Sequence, residues 1–421
     1  MRRSVTLVVG AAVSVVGVLV AAALWYSGWP TIRRDSTITA ATLFDLLKLV
    51  FSVVAGVGGV AALVVAYRRQ RVAEHANLLA EFAHALARSA DLRAEAAEYR
   101  AKIETDRNGV RLFNERFAKA SEQLGSDKAA VRLAGVYAMA GLADDWQEGR
   151  QTCIDVLCAY LRMPYTPPIG SDSTASVDVA ATREDAQEER LAREEQEVRH
   201  TVIRLISAHL RLDEGELTSW RGLNLDFTGA VFDGGDFLDV TFSGGRVSFD
   251  RATFCGSVSF AGATFSGGAV TFYGASFSRG RVHFSEAAFS GGNVSFDRAT
   301  FSGGQVFFAE VSVSSGRLAF EEATFSGGEL YFNASTFSGG NVSFFGANFD
   351  SGKVEFGSAT FSGAEVNFMW ATFSGGRVSF RNATYSGGLV DLVGVEVNAA
   401  PPLFDSWPEG LPPESLHLPG K

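Results

Sequence analysis

The residue types that carry most protein chemistry are sparse in this sequence. It has three cysteines, Cys153, Cys158 and Cys255, and six histidines in 421 residues. Cys153 and Cys158 are five residues apart, so on a helix they would not share the face that i and i+4 zinc ligands need. Without a second ligand pair, we interpret them as buried free thiols. An odd number of cysteines without dense spacing also excludes a disulfide scaffold.

Glycine-rich triplets are the second pattern that could indicate chemistry. Ser-Gly-Gly, as in 243–245, resembles part of a phosphate-binding loop. It lacks the lysine and the following helix of a P-loop, so we interpret the triplets as tight corners. The sequence shows no Ser-His-Asp or Cys-His set and no metal cluster. We therefore predict no catalytic, cofactor-binding or metal-binding residues, no cofactor, and a protein that is not an enzyme.

Charge and composition narrow the possible partners. The net charge of −10 and pI near 5.2 argue against nucleic-acid binding through counterion release. A hydrophobic fraction of 47% excludes a wholly disordered chain. Of the 34 phenylalanines, 29 lie after residue 222, which indicates a repeat.

The N-terminal region, residues 1–71, is predicted to be a two-helix membrane anchor. Val5–Tyr26 is 22 residues long without a charge, and a second apolar run, Leu49–Tyr67, follows after a short loop. The predicted spans are about 5–26 and 45–67, each long enough for a bilayer core of roughly 30 Å. A cleaved signal peptide is the competing interpretation, but its apolar region would be shorter, about 7–15 residues.

Basic residues predict the orientation of this anchor. The loop between the spans contains Arg33 and Arg34 against Asp35, which weakens the contrast with the outer ends without reversing it. The outer ends carry Arg2, Arg3, Arg68, Arg69 and Arg71. The positive-inside rule then predicts a multi-pass bacterial inner-membrane protein with both termini in the cytoplasm. Ser52 and Gly56, four residues apart, would allow close helix packing and hence a homo-oligomer.

The middle of the chain is predicted to be helical. Residues 72–163 form a stalk and a small helical domain, with a last helix from about Gln151 to Met163. Residues 164–222 contain a Pro- and Ser-rich linker and a charged helix that begins at Arg183. This helix could pack on the domain that follows it in the sequence and shield the end of that domain.

From Leu225 to Val397 one short unit repeats: a small or branched apolar residue, a variable residue, then Phe. The aromatics are five apart at first and then alternately seven and five, giving 30 units. A unit with two alternate inward positions is a short strand and a turn, and four such sides close a coil. We predict a mainly β fold, a right-handed quadrilateral β-helix over 223–397. Its predicted core includes Phe249, Phe254, Phe260, Phe265, Phe272 and Phe277.

This pattern resembles the pentapeptide repeat family, whose central position is usually Leu or Phe, with Ala commonly two residues before it. The resemblance covers Leu225–Val397, although the 12-residue double unit implies wider corners on two sides. The upstream stretches 117–137 and 158–165 are similar to the helical region of actinobacterial membrane-anchored members, most of which lack an assigned activity. The resemblance implies a β-solenoid.

Any binding specificity of the repeat must come from its outward-facing side chains. Residues 24 apart stack on one face, so the sequence predicts a ladder of His283, Phe307, Tyr331 and Glu355. Further candidates for an interaction surface are Tyr273, Phe345, Met369 and Trp370. Exposed aromatics on a rigid sheet favour a partner surface. Intramolecular stacking that only stabilises the coil is the competing explanation.

The sequence therefore predicts a membrane-anchored scaffold whose solenoid binds an unknown protein partner in the cytoplasm. The first alternative is an extracytoplasmic adhesin or wall-binding protein, which requires the reverse topology. The second is a DNA mimic that binds a type II topoisomerase. Residues 223–397 carry 16 acidic and 9 basic residues, and acids cluster at the first coil: Asp226, Asp233, Asp236 and Asp239. The Pro-rich tail, 398–421, is predicted to cap the last coil through Leu403, Phe404 and Trp407.

Overall fold

The structure is a computed structural model that describes residues 2–28, 39–168, 183–399, 401–406 and 411–418. Several predicted features therefore lie outside the described residues: the loop charges at 33–35, most of the linker, and Trp407. The chain divides into two compact units, Met1–Arg107 and Asn108–Lys421, which are described separately.

The first unit is helical. Helix α1 is Arg2–Tyr26, and α2 is Ala40–Leu124, so the second predicted span and the predicted stalk belong to one helix. Among the described residues, α2 is the one helix long and apolar enough to cross a membrane, and Val13–Tyr26 is a shorter apolar stretch. No residue in the most apolar window of α2 is buried. By length and composition alone, this is weak support for membrane insertion.

The second unit begins with the end of α2 and three further helices. These are α3 (Ala129–Asp145), α4 (Arg150–Arg162) and α5 (Arg183–Arg211), with a one-turn 3₁₀ helix at Gln147–Gly149 before α4. The predicted helix near 151–163 and the charged helix from Arg183 are confirmed. A Cβ at Gly135 would lie 2.7 Å from the backbone nitrogen of Leu124, so this glycine lets α3 approach α2 closely.

The C-terminal region confirms the predicted β-solenoid, which has 25 short strands among its described residues. They are β1 Leu225–Asp226, β2 Val231–Asp236, β3 Thr241–Phe242, β4 Arg246–Ser248, β5 Thr253–Ser259, β6 Thr264–Phe265, β7 Ala269–Thr271, β8 Ser276–Phe277, β9 Arg281–His283, β10 Ala288–Ser295, β11 Thr300–Phe301, β12 Gln305–Phe307, β13 Ser312–Ala319, β14 Thr324–Phe325, β15 Glu329–Tyr331, β16 Thr336–Phe337, β17 Asn341–Ser343, β18 Asn348–Phe349, β19 Lys353–Glu355, β20 Thr360–Asn367, β21 Thr372–Phe373, β22 Arg377–Ser379, β23 Thr384–Asp391, β24 Glu396–Val397 and β25 Leu416–His417.

Successive coils pair in parallel, and the offset between partners follows the spacing of the aromatics. Leu225 pairs with Val247, 22 residues later, and Val247 pairs with Val270, 23 residues later. From Val270 to Val294 the offset is 24, and it stays at 24 through the middle of the array. The growing offset reflects the change from five-residue steps to alternating steps of seven and five.

The interior consists of stacked phenylalanine rings in four columns. Within a column, successive rings such as Phe249 and Phe272 lie 4.7 Å apart and are nearly parallel. Rings of different columns meet edge to face, as Phe249 and Phe260 do at 5.6 Å, a favoured geometry for aromatic pairs. All six predicted core phenylalanines are at most 1% exposed. Val313 interrupts one column but is itself buried.

Many turns between sides have a residue in the left-handed conformation two positions after the central residue of the unit. Ten non-glycine residues of the described chain have positive φ, for example Arg298 at 57° and Glu322 at 55°. Glycines in the corners have another role, because neighbouring coils approach closely there. At Gly256 a Cβ would overlap the backbone carbonyl of Asp233, and at Gly267 it would overlap that of Ser243.

The repeat continues beyond its predicted end at Val397. Phe404, seven residues further on, stacks on Phe380 at 5.0 Å, and the Phe380 N–H donates to the Leu403 carbonyl. Leu416 is buried in β25, which pairs with β23. The described tail therefore covers the last coil by continuing its parallel pairing, through the bridge between Ser379 and Leu403 and through β25.

Candidate functional site

The first coil is covered by the helical region. In α5, Val202, Ile203 and Ile206 are buried in the same core as Phe227 and Phe237. Gly234 in β2 makes room for His200, since a Cβ there would lie 2.9 Å from the imidazole ring. The predicted role of α5 as the shield of the solenoid's end is consistent with this packing.

Acidic residues of the first coil bind this helical cover. Asp233 accepts hydrogen bonds from Tyr165 Oη at 2.6 Å and Gln196 Nε2 at 3.0 Å, and His200 Nε2 lies 3.0 Å from its other oxygen. Burial alone would raise the pKa of Asp233, but these partners hold that pKa below its usual value. Asp226 pairs with Arg162.

Two buried arginines hold the helices together, and the sequence did not single them out. Arg150 donates to the carbonyls of Ala143 at 2.9 Å and Leu217 at 2.6 Å, and its guanidinium also reaches that of Ser219. Arg199, 1% exposed, lies with its guanidinium 4.4 Å from the centre of the Tyr165 ring, and burial lowers its pKa. Arginine side chains are normally solvated, so sequence alone gave no signal of their burial.

Two of the cysteines are buried free thiols, as the sequence predicted. Cys153 and Cys158 are free and buried in α4, and burial raises the pKa of Cys153 to about 11 and that of Cys158 to about 12. Cys255 is half-buried, with a raised pKa for the same reason. A thiol with a raised pKa carries little reactive thiolate at neutral pH. Among the residues that the structure describes, no group of three His, Cys, Asp or Glu is placed to hold a metal ion.

The predicted ladder of His283, Phe307, Tyr331 and Glu355, called here the aromatic ladder, forms on one side of the solenoid. All four are paired in register across neighbouring strands. The ring of Phe307 stacks 4.7 Å from that of His283 and 5.2 Å from that of Tyr331. The rings therefore cover each other's faces, which leaves mainly their edges for a partner.

Polar contacts tie this ladder together. Tyr331 Oη and Gln305 Nε2 both donate to Glu329 Oε2 at 2.6 Å. Lys353 Nζ lies 3.1 Å from Glu355 Oε1 and 5.2 Å from the centre of the Tyr331 ring. Burial and the hydrogen bond to Glu329 raise the pKa of Tyr331 to about 12. This geometry fits the stabilising role that competed with partner binding.

The other predicted surface residues divide into two groups. Tyr273 belongs to a charged cluster, because Arg298 Nη1 donates to its hydroxyl at 2.8 Å and Arg298 pairs with Glu322 at 2.8 Å. Phe345 and Trp370 lie three and four coils beyond Tyr273 on the same corner and are 39% and 62% exposed. Met369 is half-buried beside Trp370. Tyr273 thus belongs to a charged cluster, whereas Phe345, Met369 and Trp370 form a separate apolar group.

The comparison with known families agrees with the coil geometry. Residues 249–300 match the family model described as pentapeptide repeats (9 copies). The chain is a pentapeptide-repeat protein. No curated protein and no solved structure matches it. In this pentapeptide-repeat protein the matched segment covers only part of the array, whose pairing and ring columns extend on both sides of it.

Proposed function

We propose that this pentapeptide-repeat protein is a non-enzymatic scaffold that is anchored in the bacterial inner membrane and binds a protein partner through its solenoid. The observation that carries the proposal is the regular array, whose outward side chains are held at fixed spacing by buried ring columns. A rigid sheet loses little conformational entropy on binding. Pentapeptide-repeat solenoids commonly act as protein-interaction scaffolds.

The anchor in this proposal consists of α1 and the apolar part of α2. The apolar part of α2 is long and apolar enough to cross a bilayer core of roughly 30 Å, and α1, with its shorter apolar stretch, is 25 residues long. The basic residues at 68–71 would then lie on the cytoplasmic side, and the chain would cross twice with both termini inside. The solenoid, which we propose to be right-handed, would face the cytoplasm.

Labelling of an engineered cysteine after Lys421 tests the orientation. Cys153 and Cys158 are buried, so replacing Cys255 with serine removes the main background thiol. We expect a membrane-impermeant maleimide to leave intact cells unlabelled and to label the tail after permeabilisation. Labelling of intact cells would reverse the orientation and favour the adhesin alternative, for which the loop charges Arg33 and Arg34 argue.

Photocrosslinking tests the scaffold role itself. A photoreactive amino acid is placed in living cells at exposed positions on each side of the solenoid, with buried Phe308 as the matched control. We expect defined protein adducts from at least one exposed side and none from the buried position. Absence of adducts from every side would contradict a scaffold.

The DNA-mimic alternative has weaker support. Asp226, Asp233 and Asp236 would form the acidic end of such a mimic, but each is bonded to the helical region: to Arg162, to His200 and its neighbours, and to Arg211. Their charge is therefore partly neutralised, and the carboxylate of Asp233 is also largely covered. A supercoiling assay with the full-length protein tests this alternative, and we expect no inhibition of a type II topoisomerase.

A further inference from the structure

An apolar patch lies at one corner of the last coils. It consists of Phe345, Met369, Trp370 and Val393 and is called here the corner patch. Phe345, Met369 and Val393 occupy the same turn position in three successive coils, and the Gly346 N–H donates to the Met369 carbonyl at 3.0 Å. Trp370 is 62% exposed, Val393 46% and Phe345 39%. Large apolar side chains that remain this exposed on a folded surface indicate binding.

The backbone at Trp370 makes a bulky residue costly at this position. Its φ is 60°, the left-handed conformation that glycine and asparagine adopt with least strain and bulky residues rarely adopt. Gly346 and Gly394 occupy the same turn position in the coils below and above, both with positive φ. Trp370 is the one aromatic residue with positive φ in the part of the chain that the structure describes. Arg298 and Glu322 have the same conformation at this turn position, so the conformation belongs to the fold, and tryptophan occupies it at a cost in strain while its side chain stays exposed.

The charges around the corner patch have one sign. The two sides that meet at this corner, in the last three coils, are residues 338–349, 362–373 and 386–397. They contain Glu365, Asp391 and Glu396 and no lysine or arginine. Glu365 and Glu396 are exposed, and Asp391 is half-buried and accepts a hydrogen bond from the Val393 N–H at 2.9 Å. The nearest basic residues, Arg317 and Arg298 in the two preceding coils, are already paired with Glu321 and Glu322.

We propose that the corner patch binds a basic, amphipathic segment of a protein partner. An apolar anchor side chain of the partner packs against Trp370 and Phe345, and flanking lysines or arginines face Glu365 and Glu396. The proposal rests on the proposed scaffold function and specifies which surface acts and what it recognises. Tryptophan is among the residues that dominate binding energy at interfaces, and complementary charge at the rim selects the partner.

Charge and size argue against the other occupants. A second copy docked on the same patch would bring the same acids together, and like charges across an interface are unfavourable. Three coils extend only about 10 Å along the solenoid at roughly 4.8 Å per strand. That is small for a stable dimer, which buries about 800 Å² on each copy. An anionic lipid surface would meet the same repulsion.

Selection from a library of displayed random peptides tests the proposal. The full-length protein in detergent micelles is the bait, and Trp370→Gly is used for counter-selection. We expect peptides that depend on Trp370 to carry an apolar anchor and a net charge of about +3 or more. Fluorescence anisotropy then measures their affinity. We expect Trp370→Gly to weaken binding about tenfold or more, and the double variant Glu365→Gln/Glu396→Gln to weaken it and reduce its dependence on salt.

The variant Trp370→Gly keeps the test independent of folding. Glycine relieves the left-handed strain, so we expect its melting temperature to equal or exceed that of the wild type. Ser358→Gly, at the same turn position on another corner with φ 57°, is the matched control and should leave peptide binding unchanged.

Four outcomes would overturn the proposal: no peptides that depend on Trp370, selected peptides that are neutral or acidic, a dimer in sedimentation that Trp370→Gly dissociates, or vesicle binding that the same variant abolishes. Each is separable from failure of the scaffold role. If photocrosslinking finds a partner on another side of the solenoid, the scaffold stands and only the corner patch is excluded.

Discussion

At the scale of single residues, the buried arginines contribute more to the packing of the helices than the cysteines do. Arg150 donates to several backbone carbonyls that belong to α3 and to the segment before the solenoid. A buried guanidinium satisfied in this way cannot be shortened without leaving those carbonyls unpaired. The cysteines, in contrast, lie in the core as small apolar groups.

Replacing Arg150 by alanine should therefore destabilise the second unit. We expect a loss of about 2–4 kcal/mol, because carbonyl groups and a cavity remain where the guanidinium was. Urea unfolding followed by tryptophan fluorescence measures it, and Arg377→Ala, on the exposed side of β22, is the control with little expected effect. Equal stability of the two variants would show that the Arg150 contacts contribute little.

Asp233 makes a pH-dependent contribution that can be isolated. Its pKa is lowered in the folded protein, so its stabilising effect is present above the unfolded value, about 3.9, and is lost as pH falls through the folded pKa. Asp233→Asn should thus lower the melting temperature at pH 7, and the difference from wild type should shrink towards pH 3. Thermal scans across this range measure it; a difference independent of pH would contradict the assignment.

At the scale of elements, the corners of the coil depend on close backbone approach. Gly256→Ala should destabilise the solenoid by about 1–3 kcal/mol, since the added methyl would overlap the Asp233 carbonyl and push two coils apart. Gly141→Ala in α3, which has open space at that position, should instead stabilise by up to about 1 kcal/mol. Opposite signs in thermal denaturation are the expected result, and equal effects would refute the steric argument.

The same elements show what a sequence can and cannot predict here. The inward phenylalanines and the 24-residue register followed from periodicity, because each Phe must point inward for the coil to close. The left-handed turn residues did not, since Arg298, Glu322 and Trp370 lack the glycine or asparagine that signals such a turn. The ladder register was predictable, but the hydrogen bond from Tyr331 to Glu329 depends on side-chain placement.

At the scale of the whole molecule, a solenoid must protect both of its ends, because unpaired strands invite association. In the helical region, α5 covers the first coil. The apolar positions in its sequence predicted this role. The sequence also predicted that the tail covers the other end, but not that Phe404 continues a ring column, since Phe404 follows two prolines and falls outside the regular motif. Its distance from Val397, seven residues, is nonetheless the normal step of the array.

Truncation of the tail in two stages tests how the last coil is protected. Ending the chain after residue 410 removes β25 and exposes the edge of β23, whereas ending it after Val397 also removes Leu403 and Phe404 and exposes the edge of β22 and the ring of Phe380. We expect the shorter chain to melt at a lower temperature and to form larger particles in size-exclusion chromatography, and the longer one to be intermediate. Phe404→Ala in the full-length chain is the matched control for the ring stack, with an expected loss of about 2–4 kcal/mol if Phe404 is a true member of the column. If both truncations melt and migrate like the full chain, the edges of the last coil need no cover, and the tail must have another purpose.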